Sequence, residues 1–69
     1  MAIYKVEISE EAIDYRIEML EIIDSVKIVR DSDSLEFTLE CATDDIEAVE
    51  YELRKAERRD DYCLWERIS

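Results

Sequence analysis

Leu35-Glu36-Phe37-Thr38-Leu39-Glu40-Cys41 alternates apolar and polar residues without a break. A period of two puts Leu35, Phe37, Leu39 and Cys41 on one side of an extended chain and Glu36, Thr38 and Glu40 on the other. That is the pattern of a strand buried on one face. Ala2 to Ile8 repeats it, with Tyr4, Val6 and Ile8 on one side and Ile3, Lys5 and Glu7 on the other. A shift of 33 positions, the distance from Tyr4 to Phe37, lays Val6 on Leu39, Glu7 on Glu40 and Ile8 on Cys41. It also lays Ile13 on Ile46, Leu20 on Leu53 and Ile23 on Ala56. One strand-then-helix pattern is written twice.

The segments between fill in the order. Ser9 offers an N-cap oxygen, and Glu10 and Glu11 bring negative charge to a first helical turn, where the peptide dipoles favour it. Ala12, Ile13, Ile17, Leu20 and Ile23 recur at spacings of three and four, predicting a helix to about Asp24. Val26 to Arg30 reads as a short β-branched strand, and Asp31-Ser32-Asp33-Ser34 as the turn after it. Thr43 or Asp44 caps a second helix whose buried stripe is Ile46, Val49, Leu53 and Ala56. Asp44, Asp45 and Glu47 open this helix and Arg54, Lys55, Arg58 and Arg59 close it, matching its dipole. Asp60-Asp61 breaks it, and Tyr62 to Ile68 forms a last strand. The order β-α-β-β-α-β resembles the ferredoxin-like split β-α-β fold. The resemblance implies one α+β domain over residues 1–69: a four-stranded antiparallel sheet with two helices on one face and the other face open. Tyr4, Val6, Leu35, Phe37 and Leu39 then point to the helices, while Lys5, Glu7, Lys27, Val29, Glu36, Thr38 and Glu40 point out.

Composition removes several classes of function. The chain has 20 Asp+Glu against 9 Lys+Arg and no His, a net charge of −11, yet 48% of it is apolar. That apolar share excludes a disordered acidic tail, and 69 residues allow one core. No apolar run approaches the roughly 18 residues of a membrane span and no basic-then-apolar leader opens the chain, so a soluble cytoplasmic protein is expected. Average usage of about 7% Gly and 5% Pro would supply roughly five and three residues; neither occurs. Without Gly no phosphate-cradling loop forms. Without His, imidazole proton transfer near neutral pH is excluded and metal sites lose their commonest nitrogen ligand. No cofactor, metal or catalytic residue is expected.

Individual residues narrow the field further. Cys41 and Cys63 lie on strands that the expected topology keeps apart, which makes them two free, packed thiols. Asp31, Asp33 and Glu36 loosely match a calcium loop, but Leu35, Glu36 and Ala42 stand where its fifth, sixth and twelfth positions need other residues. A hairpin turn accounts for them better. Trp65, alternating with Leu64, has two readings: an exposed anchor on the open face beside Glu7 and Glu36, or packing at the sheet edge. RNA-recognition domains share this element order but stack bases on exposed aromatics of the central strands; Glu36, Thr38 and Glu40 stand there instead. With phosphates normally held by Lys and Arg, direct nucleic-acid binding is not expected.

The first helix carries the functional signal. At 100° per residue, Glu10, Glu11, Asp14, Glu18 and Glu21 fall within about a 100° arc. From Ser9 to Asp24 six acids face one base, Arg16. Such a row fits and steers toward a basic groove, and it equally serves as a solvated face. Apolar residues cover roughly 220° of the same helix, more than one sheet contact needs. Tyr15, Met19 and Ile22, at i, i+4 and i+7, form a second stripe of interface-favoured types, which homodimerisation through this helix or docking on a partner would cover.

In size, charge and want of catalytic residues the chain resembles small acidic inhibitors of nucleic-acid machinery, including anti-CRISPR proteins and other DNA mimics. The resemblance implies a non-enzymatic binding module that presents these residues to a basic surface of a partner protein, with no membrane involved. The alternative is a designed or structural α+β scaffold with no evolved ligand. Against design stand helix-to-strand loops without Gly and a charge far from balance.

Overall fold

Alternation along the chain becomes two faces of a sheet. In a computed structural model describing residues 1–69, β1 (Ala2–Ile8) and β3 (Glu36–Cys41) are the central strands, flanked by β2 (Lys27–Arg30) and β4 (Cys63–Arg67). The strand order is β2-β3-β1-β4 and every neighbouring pair is antiparallel. Helix α1 (Ile13–Glu21) joins β1 to β2, and α2 (Ile46–Arg59) joins β3 to β4. This is the ferredoxin-like split β-α-β topology.

The register makes the core. Tyr4 lies opposite Leu39, Val6 opposite Phe37 on one side and Trp65 on the other, and Ile8 opposite Cys63. Tyr4, Val6, Ile8, Phe37, Leu39 and Cys41 are buried against Ile13 and Leu20 of α1 and Val49, Leu53 and Ala56 of α2. Each fully buried aliphatic side chain contributes about 1.5–3 kcal/mol. Leu35, just before β3, is half-buried, and Lys5, Lys27, Val29, Glu36 and Thr38 point to solvent as the alternation requires. Between β2 and β3, the Asp31 carbonyl accepts the Ser34 N–H at 2.8 Å while Ser32 takes φ 46°. That left-handed backbone ordinarily goes to glycine, and this chain holds it with serine.

The helix ends depart from the sequence expectation, and of the two readings of Trp65 the structure selects packing. The Ser9 carbonyl, not its hydroxyl, accepts the N–H groups of Ala12 and Ile13, each at 3.0 Å. Ser9 is packed into the protein, and its Oγ has no hydrogen-bond partner. Glu10 and Glu11 therefore lie in a turn ahead of α1. At its far end α1 stops at Glu21 rather than Asp24, and Ser25 in the following turn bonds to the segment ahead of α2: its Oγ accepts the Ala42 N–H at 2.9 Å and donates to Asp45 at 2.6 Å. Thr43–Asp45 forms a single 3-10 turn, and neither Thr43 nor Asp44 caps α2 with a side chain. Trp65 does not face the open side. Paired with Val6, it packs on the helix side with its ring centre 5.9 Å from that of Tyr4, and Leu64 takes the open face instead.

Ser9 supplies a test. Replacing a capping serine by alanine ordinarily costs about 1 kcal/mol. Here Ser9→Ala removes an unpaired buried hydroxyl, so denaturant unfolding should show stability unchanged or raised.

Candidate functional site on the first helix

What α1 shows to solvent is decided by what it hides. Ile13 and Leu20 fall on the sheet-facing side, and Arg16 falls between them, three residues after one and four before the other. The helix therefore carries a guanidinium inward, and Arg16 is 3% exposed. Its Nε and Nη2 donate to the two carboxylate oxygens of Asp60 at 3.2 and 3.0 Å, and its Nη1 donates to Glu52 at 3.0 Å. Lys55 closes the set with a 2.9 Å contact to the other Glu52 oxygen. Two acids and two bases thus alternate, and the two-pronged hold on Asp60 is the geometry that favours arginine over lysine. The hydrogen bonds to Asp60 raise the Arg16 pKa above its ordinary value while burial pulls it down.

Sequence counting sets Arg16 against the acids of α1, but the structure sets it against α2 and Asp60. From Ser9 to Asp24 the surface keeps six carboxylates and no exposed cation of its own. Glu10, Glu11, Asp14, Glu18 and Glu21 are all exposed. Of these five only Asp14 has a cation within 4.0 Å, the Arg30 guanidinium at 2.9 Å. The apolar stripe is less even than its spacing implies. Tyr15 is 57% and Ile22 70% exposed, but Met19 is half-buried and Ile22 stands in the turn just past α1. The Tyr15 ring lies against the Arg16 guanidinium, 5.3 Å from centroid to Cζ.

The open sheet face offers little chemistry. A shallow depression of about 280 Å³ is lined by Lys5, Val6, Glu7, Glu36, Leu64, Trp65 and Glu66. Glu7 and Glu36 lie directly opposite each other, an unfavourable pair of like charges. Phe37 and Trp65 pack toward the helices, the exposed Tyr62 donates its hydroxyl to Glu7 at 3.0 Å, and no group of three or more His, Cys, Asp or Glu side chains is placed to hold a metal ion. Cys41 and Cys63 are free and buried, with β1 between their strands. Burial raises the pKa of both thiols, that of Cys63 to about 11 with Glu57 and Asp60 adding to the effect. Both stay protonated near neutral pH and are poor nucleophiles. No helix is long and apolar enough to cross a membrane. Comparison with protein-family models, curated proteins and solved structures found no match.

Two measurements follow from these buried groups. Arg16→Ala leaves Glu52 and Asp60 close together and desolvated, and should cost about 3–5 kcal/mol in denaturant unfolding, with Arg16→Lys recovering part. The Cys63 thiol binds its proton more tightly folded than unfolded, where its value is 9.0. Its contribution is therefore complete below about pH 9 and is lost as pH climbs through about 11. Unfolding midpoints should fall over that range, and Cys63→Ala should flatten part of the slope.

Proposed function

We propose that this chain is a non-enzymatic binding module whose α1 face occupies a basic site on a partner protein, standing in for nucleic acid. The observation that carries the reading is the set Glu10, Glu11, Asp14, Glu18 and Glu21, exposed and paired only at Asp14, along α1 and the turn that leads into it, where the lone base is turned inward. Magnitudes support it. At 1.5 Å per residue, Asp14 to Glu21 spans about 10 Å along α1 and carries three charges about 5 Å apart, with Glu10 and Glu11 in the turn ahead of them. One strand of duplex DNA carries a phosphate every ~3.4 Å. A groove that gathers phosphates therefore meets a comparable line of charge. Tyr15 and Ile22 add apolar anchors beside that line, which a solubilising surface does not require.

Immobilised protein exposed to nuclease-treated lysate at about 50 mM salt should capture nucleic-acid-binding proteins and release them at about 500 mM, where the Debye length falls severalfold below its low-salt value. A folded Glu10→Lys, Glu18→Lys, Glu21→Lys variant should capture none of them. Equal capture by wild type and variant, or no nucleic-acid-binding protein among those recovered, rejects the reading and leaves a scaffold without a ligand.

A further inference from the structure

We infer that the outer surface of the helix layer is a self-association face, on which a second copy of this chain lays its α2 along α1 and receives the first copy's α2 along its own α1. The inference goes beyond the proposed function and stands on separate observations. Glu11, Tyr15, Glu18 and Ile22 line the solvent side of α1 and its flanking turns at i, i+4, i+7 and i+11, with Asp14 beside them. The matching line on α2 is Glu47, Tyr51, Arg54 and Arg58, at the same spacing. The first line is acidic with two apolar anchors, and the second is mainly basic around Tyr51, which is 60% exposed. Arg58 and Arg59 have no carboxylate within 4.0 Å, and the Arg54 side chain is 60% exposed despite its bond to Glu50. Tyr51 is held by Lys55, whose Nζ lies 4.9 Å from the ring centre. Two neighbouring helices of one molecule thus carry complementary faces that do not face each other.

The ionic network sets their lengthwise alignment. β1 and β3 are antiparallel, so the helices that follow them run in opposite directions. Arg16 reaches both Glu52 and Asp60, so its guanidinium lies between them, and residue 16 is taken as level with the middle of that interval, at Ala56. Counting outward in opposite directions, Asp14 is level with Arg58, Glu18 with Arg54, and Ile22 with the turn that holds Tyr51. A two-fold axis running between the helices, parallel to both, preserves these levels and exchanges α1 with α2. It brings Asp14 to Arg58, Glu18 to Arg54 and Ile22 to Tyr51 of the other copy, twice over, as an isologous interface requires. Met19, half-buried in the single chain, is covered by the same contact. Two chains of charge −11 repel each other at long range, so the association is concentration-dependent and depends on the local match. It covers the row assigned to a basic partner, so self-association and partner binding exclude one another.

Salt alone does not separate local attraction from overall repulsion; exchanging charges does. Sedimentation velocity from micromolar to millimolar protein should show wild type moving from monomer to dimer. Arg54→Glu with Arg58→Glu makes both faces acidic, and Asp14→Lys with Glu18→Lys makes both faces basic. Each variant alone should self-associate at least about tenfold more weakly, because like charges then meet. Their equimolar mixture should dimerise like wild type, since each acidic helix meets a basic one again. Tyr51→Ala, which changes no charge, should weaken the dimer as well. A wild type that stays monomeric, an Arg54→Glu/Arg58→Glu variant as dimeric as wild type, or a mixture that stays monomeric overturns the inference. Partner capture by Arg54→Glu/Arg58→Glu reports on the proposed function separately, because α1 is intact in that variant.

Discussion

One guanidinium, that of Arg16, holds the helix layer in place. Hydrophobic packing of Ile13, Leu20, Val49, Leu53 and Ala56 brings both helices down onto the sheet, but such contact is non-directional and tolerates sliding. The fork of Arg16 does not. It must meet both oxygens of Asp60 and one of Glu52 at hydrogen-bond distance, and that condition fixes how far along each other the helices lie. Removing one partner from such a set is costly, while the intact set is worth little against a well-packed apolar equivalent. Its contribution is therefore to alignment more than to net stability.

The same interaction governs the surface. A base that spends its charge inside leaves the acids of its own helix uncompensated, so α1 is more anionic in the fold than along the chain. Arg30, reaching from β2 to Asp14, is the sole cation drawn toward the row. On α2 the bases are divided: Lys55 turns to the internal network, Arg54 to Glu50, and Arg58 and Arg59 remain unpaired. The fold thus leaves a chain that is acidic overall with three of its exposed bases, Arg54, Arg58 and Arg59, gathered at the C-terminal turns of α2.

Much of this was legible before any coordinates. Strict alternation in Leu35–Cys41 and Ala2–Ile8 marks the buried residues of the two central strands, because side chains on a pleated chain have no third direction to take. Asp14, Glu18 and Glu21 are exposed on α1, and Glu10 and Glu11 are exposed in the turn ahead of it rather than in a first helical turn. Helix ends were less legible. Ser9 has the chemistry of a cap, but long-range packing pulls it inward, and Ser25 and Asp45 find each other across 20 residues. Trp65 depended on which way β4 faces, and Cys63, two residues earlier and buried, has the parity that decides it. Arg16 and Glu52 left a trace that charge counting overlooks: each stands three residues after one buried apolar residue and four before another. A polar residue inside an apolar stripe asks for a partner inside the core, and two such residues on neighbouring helices answer each other.

Opposite signs on adjacent helices have a consequence for motion as well as for contact. The total charge determines how strongly a cationic body attracts this molecule, whereas the lateral offset between the α1 carboxylates and the α2 arginines gives it a handle by which it can be turned. In the field of such a body the protein experiences a torque, rotating its acidic edge forward and its basic edge away before the surfaces touch. Productive encounters are then selected during diffusion, and a chain of this size reorients quickly enough to follow.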